Sequence, residues 1–259
     1  MPYYEAMLRS KEDFSVYLFK YIPGKEADKF LQKAFAGNKK RNKLSAAYVL
    51  CLRGDKKAIE YCASLLKKSG NDQQYVTECL AKIHDLRAMQ YLIKQLRSPN
   101  LKQKYDAAFI MAEIGDPRAL PVLIEGYKDP GNYGSPGAAV GMIGYIPGEA
   151  ATQALFNIMN GKYGRLDDTA ARTLAKRGDV RAIPFLMDEM RRTSEYDRDK
   201  AQLRLAYSLH FIPSEKVHAI QIYRDVALNS RDANYQWMAA TAYWTLKKGV
   251  NWKISEPHP

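Results

Sequence analysis

Eight residues after a small or apolar residue, the same turn returns along the whole chain. Ser15, Ala47, Thr77, Ala108, Ala139, Ala171, Leu205 and Ala240 are followed at that distance by Pro23, Asp55, Asp85, Asp116, Pro147, Asp179, Pro213 and Lys248. Successive starts are 32, 30, 31, 31, 32, 34 and 35 residues apart. A period near 32 with no strand-like segment inside it predicts an all-α fold, a right-handed superhelix of about eight stacked helical hairpins. It predicts one solenoid over 1–259, its first and last repeats serving as caps.

The unit is clearest in AAFIMAEIGDPRALPVLIEGYKDPG, residues 107–131. Ala107, Ala108, Met111, Ala112 and Ile114 carry the apolar spacing of a first helix, and Ala119, Leu120, Val122, Leu123 and Ile124 that of a second. Gly115 ends one helix and Asp116 caps the next, with Pro117 suited to its first position. Pro121 and Pro184 fall at one register inside the second helices, where each is expected to cost a backbone hydrogen bond and bend the helix. In three repeats the turn instead reads Ile22-Pro23-Gly24, Ile146-Pro147-Gly148 and Ile212-Pro213-Ser214.

The segments IGDPRALPVLIEGYKD and RGDVRAIPFLMDEM resemble HEAT repeats, specifically the short bacterial kind similar to those of phycobilin lyase subunits. The resemblance is strong over 105–190 and 44–97 and weaker in the first, fifth and last repeats. It implies a ladder between adjacent repeats built from Asp55 with Lys57, Asp85 with Arg87, Asp116 with Arg118, and Asp179 with Arg181. It also implies a range of roles: assembly scaffolds, chromophore lyases, the metal enzyme deoxyhypusine hydroxylase and DNA glycosylases. The hydroxylase is excluded, because its metal site needs His-Glu pairs and no His here is followed by Glu.

Net charge is +12. Residues 1–104 hold 21 Lys and Arg against 10 Asp and Glu, while residues 105–259 hold 19 against 18, so the excess lies in the first three repeats. That asymmetry points to an acidic partner for the N-terminal half. The connections between repeats carry Lys39, Lys40, Arg41 and Lys43, then Lys67 and Lys68, then Lys102 and Lys104, as a candidate basic edge for an acidic protein surface or nucleic acid phosphates. Compensation of helix C-terminal dipoles is the competing account of Lys67, Lys68 and other cations near helix ends.

Gly137, Gly141, Gly144 and Gly148 recur at intervals of four, three and four, and each costs a helix about 1 kcal/mol relative to Ala. Tight helix packing, a joint between two halves, or a groove for a ligand with Tyr133, Tyr145 and Tyr163 as walls would each explain them. Trp237 and Trp244, seven apart, are expected to share a helix face and close the core.

No catalytic constellation stands out, and the expected function is a non-enzymatic scaffold or adaptor, with nucleic-acid binding and lyase-like chromophore handling as alternatives. No cofactor is expected. The three cysteines, Cys51, Cys62 and Cys79, read as packed thiols on hairpin helices in no metal-ligand spacing, and the four scattered histidines argue against zinc. An odd cysteine count and an N-terminus without a secretory pattern suggest a reduced, cytoplasmic protein. The uncharged stretch 130–148 holds three prolines and six glycines, so no membrane span is expected.

Overall fold

A computed structural model describes residues 16–66, 71–129, 135–161 and 168–248. Fourteen α-helices lie among them, and no strand. A 3₁₀ segment, Val16–Tyr21, precedes α1 (Lys25–Ala36). The hairpins that follow are α2 (Lys40–Leu52) with α3 (Lys56–Leu65), α4 (Asn71–Lys82) with α5 (Leu86–Gln95), and α6 (Leu101–Glu113) with α7 (Leu120–Lys128). Next come α8 (Pro136–Ile143) with α9 (Glu149–Met159), α10 (Asp168–Lys176) with α11 (Ile183–Arg192), α12 (Arg198–Leu209) with α13 (Lys216–Asn229), and finally α14 (Ala233–Lys248). Six of the eight turns predicted from the period, at Asp55, Asp85, Asp116, Pro147, Asp179 and Pro213, fall between the two helices of a hairpin, while Pro23 follows the 3₁₀ segment and Lys248 ends the last described helix.

The chain divides into two compact units, Met1–Leu123 and Ile124–Pro259. In the first, α2 packs on α4 and α4 on α6, so first helices stack on first helices. The second repeats the rule, with α8 on α10, α10 on α12 and α12 on α14. Small side chains permit the close approach: Ala46, Ala47, Ala81, Ala108 and Ala112 in one unit and Ala139, Ala170, Ala171 and Ala175 in the other are almost wholly buried.

Four turns share one hydrogen-bond design. Gly115 N–H donates to Ala112 O at 2.8 Å and Asp116 N–H to Met111 O at 2.8 Å, a Schellman ending that needs a left-handed residue. Gly54 with Asp55, His84 with Asp85, and Gly178 with Asp179 repeat both bonds. The glycines have φ near 80°, whereas His84 holds φ 55° with a side chain present. A β-carbon costs about 1–2 kcal/mol in that region. His84→Gly is therefore expected to raise the urea midpoint by the equivalent of about 1 kcal/mol; an unchanged midpoint would show that the turn is unstrained.

The prolines at the shared register behave differently from expectation. A 3₁₀ turn, Pro117–Ala119 or Val180–Ala182, precedes α7 and α11, so Pro121 and Pro184 each stand second in an α-helix that has only just begun. No interior hydrogen bond is forfeited, because the amides of a first turn have no helical acceptor. In α3 and α5 the same register holds Glu60 and Gln90, and those helices are α-helical from their first residue.

Trp237 is 58% exposed, so the tryptophan pair does not close the core as expected. Among the described residues of that helix, Ala239 is buried.

Candidate functional site

The intra-repeat turns carry a repeated pairing of Asp with Arg. Asp85 accepts from the Arg87 amide and, through both carboxylate oxygens, from its guanidinium at 3.0 and 2.8 Å. Asp116 with Arg118 and Asp179 with Arg181 repeat this geometry. These pairs close within one turn, which corrects the expectation that they run between repeats. Asp55 departs further: it caps Ala58 N–H at 2.9 Å and accepts from Gln32 of the preceding hairpin at 2.7 Å. The links between repeats come from other atoms, such as Arg87 to Glu60 at 3.0 Å and Arg181 stacked 4.7 Å from the Phe156 ring centre.

Hydrogen bonding from its arginine holds each of Asp85, Asp116 and Asp179 below the usual carboxylate range. A carboxyl whose folded pKa is depressed stabilises the fold above its unfolded pKa of about 3.9 and loses that contribution as pH falls through the folded value. Unfolding free energy is thus expected to be flat above about pH 5 and to fall below pH 4. Asp116→Asn, which keeps a capping oxygen but cannot titrate, is expected to flatten that slope; urea midpoints between pH 3 and 6 would read it.

Two arginines that the repeat period did not single out join neighbouring hairpins. Arg53 donates to Phe19 O at 2.6 Å and Ile22 O at 2.8 Å, and pairs with Asp28. Arg177 donates to Gly144 O at 3.2 Å, Ile146 O at 2.6 Å, Gly148 O at 3.0 Å and the Thr152 hydroxyl at 2.9 Å. Both precede Gly-Asp, and both reach the Ile-Pro-Gly turn one repeat earlier. That turn has no capping side chain, since Gly24 and Gly148 occupy the cap positions of α1 and α9. Arg-Gly-Asp following Ile-Pro-Gly by one period was the available sequence signal.

The candidate basic edge is only partly assembled. Lys39 precedes α2, Lys40 and Arg41 lie in its first turn, and all three are exposed. No acidic residue stands in that turn, where the helix dipole disfavours cations. Lys43 is half-buried, its ammonium 5.7 Å from the Phe35 ring centre and 5.3 Å from that of Tyr61. Lys102 pairs with Asp106 at 2.5 Å, and Lys104 is half-buried. Lys67 and Lys68 lie outside the described residues.

The glycine-rich segment resolves into separate roles. A β-carbon on Gly144 would stand 2.5 Å from Thr173 Cγ2 of α10, whereas one on Gly141 would meet nothing within 4 Å. Tyr145 is 62% exposed, and Tyr133 and Tyr163 lie outside the described residues.

What their sequence spacing hides, the fold does to the cysteines. Cys51 on α2, Cys62 on α3 and Cys79 on α4 are each 0% exposed, and their three sulfurs lie within 4.8 Å of one another. Hydrogen bonds from Cys62 and Cys79 draw the Cys51 thiol down to about 4. The same bonds push Cys62 up to about 12 and raise Cys79 further. Cys79 Sγ also lies 3.3 Å from Val76 O, an alternative acceptor for its single thiol hydrogen.

Residues 103–129, the α6–α7 hairpin, match the family model of the PBS lyase HEAT-like repeat, so this hairpin is a HEAT-like repeat. No curated protein matches the chain. HEAT-like repeats are helical scaffolds often used for protein interaction, and among the described residues no helix is long and apolar enough to cross a membrane.

Proposed function

We propose that the protein is a non-enzymatic scaffold that binds an acidic surface of another protein, with Lys39, Lys40 and Arg41 at the start of α2 as the contact. The observation that carries this reading is three adjacent exposed cations at a helix N-terminus, where the dipole costs stability instead of supplying it. Dipole compensation, the competing account for cations at helix C-termini, fails here by sign.

A protein surface fits better than nucleic acid. A phosphate track needs exposed cations repeated along the repeats, yet Lys43 and Lys104 are half-buried. Chromophore handling at the glycine-rich segment loses its motive at Gly144, whose missing side chain is explained by Thr173.

Reversal of Lys39, Lys40 and Arg41 to Glu tests the reading. The triple variant is expected to keep its helical circular dichroism and melting temperature while losing nuclease-resistant partners captured by cross-linking in lysate. An unchanged partner set would overturn it. Fluorescence anisotropy with duplex and single-stranded DNA and RNA, at roughly 50 and 200 mM salt, separates the alternative, since phosphate contacts lose affinity steeply with salt. Micromolar binding abolished by the same reversal would replace the acidic protein with nucleic acid.

A further inference from the structure

All three cysteines of the chain come from three different helices and meet at one point in the core between the second and third hairpins. Packing alone does not ask for them. At the register of Cys62 other repeats place Leu92, Leu123 and Leu186, and at the register of Cys79 they place Val49, Ile110 and Thr173, all buried. At the register of Cys51 they place Ala81, Ala112 and Ala175, also buried. Three departures from the repeat therefore coincide in space, and each contributes the same kind of atom.

The geometry suits an ion held by sulfur alone. Three sulfurs bound at about 2.3 Å to one ion at the apex of a pyramid stand roughly 3.5 Å apart. Sulfurs already within 4.8 Å reach that separation by side-chain rotation, with Cys79 giving up its contact with Val76 O. Among the described residues the group holds three donors, so a structural zinc ion, which takes four ligands, would lack one.

Charge narrows the choice further. The three cysteines are fully buried, and the Asp85 carboxylate, an anion, acts on Cys51. A monovalent cation with three thiolates would bury two net negative charges, and a divalent one would bury one, each costly without a partner. A trivalent ion buries none.

We propose that Cys51, Cys62 and Cys79 form a binding site for a thiophilic ion taking three sulfur ligands, with trivalent arsenic or antimony as the best match. With arsenous acid, three As–O and three S–H bonds break, three As–S bonds form and three waters leave. Arsenic stays trivalent, and every species is neutral. Because the sulfurs have no exposed surface, entry requires local opening of the α2, α3 and α4 packing. Uptake is therefore slow, and its rate levels off once arsenite is abundant, since opening then limits it.

The test uses the full chain, reduced with a phosphine so that no competing dithiol is present, and incubated with sodium arsenite below its melting temperature. After gel filtration one arsenic per chain is expected, with X-ray absorption reporting three sulfur neighbours and no oxygen. Cys51→Ala and Cys62→Leu each install the residue that other repeats carry, so both are expected to fold, as their circular dichroism would show. Each loses one arm of the chelate and is expected to bind at least about 100-fold more weakly. Failure of the wild type to retain arsenic, equal retention by Cys51→Ala, or oxygen among the ligands would overturn the proposal. So would retention of zinc by a protein that takes up no arsenic.

Discussion

Arg177→Ala is expected to lower the unfolding free energy of the second unit by about 2–4 kcal/mol, the cost of removing a charged donor from several partners at once. Its guanidinium serves Gly144 O, Ile146 O, Gly148 O and the Thr152 hydroxyl, all belonging to the preceding hairpin. Three carbonyls would lose their donor together, and the half-buried setting of the arginine limits how well water replaces it. The position-to-position parallel with Arg53 strengthens the expectation: Ile22 O and Asp28 stand to Arg53 as Ile146 O and Thr152 stand to Arg177. Arg177→Lys is expected to recover less than half of the loss, because a single ammonium cannot fan across an entire turn as a planar guanidinium does. Urea unfolding of the three proteins would decide the matter, and an Arg177→Ala loss under about 0.5 kcal/mol would mean that the turn holds itself together.

The reach of these arginines also marks where the sequence stops being readable. Elements set by local chemistry were legible. Gly115-Asp116 names its own Schellman ending and cap, and the buried Ala108 and Ala112 carry a helical period within one turn of each other. Arg53 and Arg177 act about a whole repeat away, so only comparison of turns one period apart exposes them. Pro121 was misjudged for a related reason: its effect depends on where the α-helix begins, and a 3₁₀ turn delays that start. The cysteines are the extreme case. Spacings of 11 and 17 residues match no ligand motif, yet stacking of α2, α3 and α4 brings the sulfurs together. Among the basic residues, sequence position placed Lys39 to Lys43 in a connection, and the structure puts Lys40 to Lys43 inside α2, where the dipole reverses the sign of their local energy.

Gly144→Ala and Gly141→Ala are expected to move stability in opposite directions, although both glycines belong to one face of the same segment. Gly144 has φ −60° and ψ −26°, a conformation in which alanine is at ease, so backbone entropy favours the substitution by about 0.5–1 kcal/mol. Packing opposes it. The new methyl would stand 2.5 Å from Thr173 Cγ2 and 3.0 Å from Gly141 O, and Thr173 is held in place by its own hydroxyl bond to Thr169 O at 2.7 Å. Forcing a methyl into such a contact costs typically about 1–3 kcal/mol, so a net loss of roughly 1–2 kcal/mol is expected for Gly144→Ala. At Gly141 the added carbon meets nothing within 4 Å, and the helix gains about 1 kcal/mol. Thr173→Ser deletes the offending Cγ2 while keeping the hydroxyl, so the double variant Gly144→Ala with Thr173→Ser should recover most of the loss. That coupling, read from a double-mutant cycle in urea, separates close packing of α8 on α10 from the alternative of a ligand groove. A glycine kept open for a ligand would accept alanine without any dependence on residue 173, and additivity in the cycle would assign Gly144 to that role.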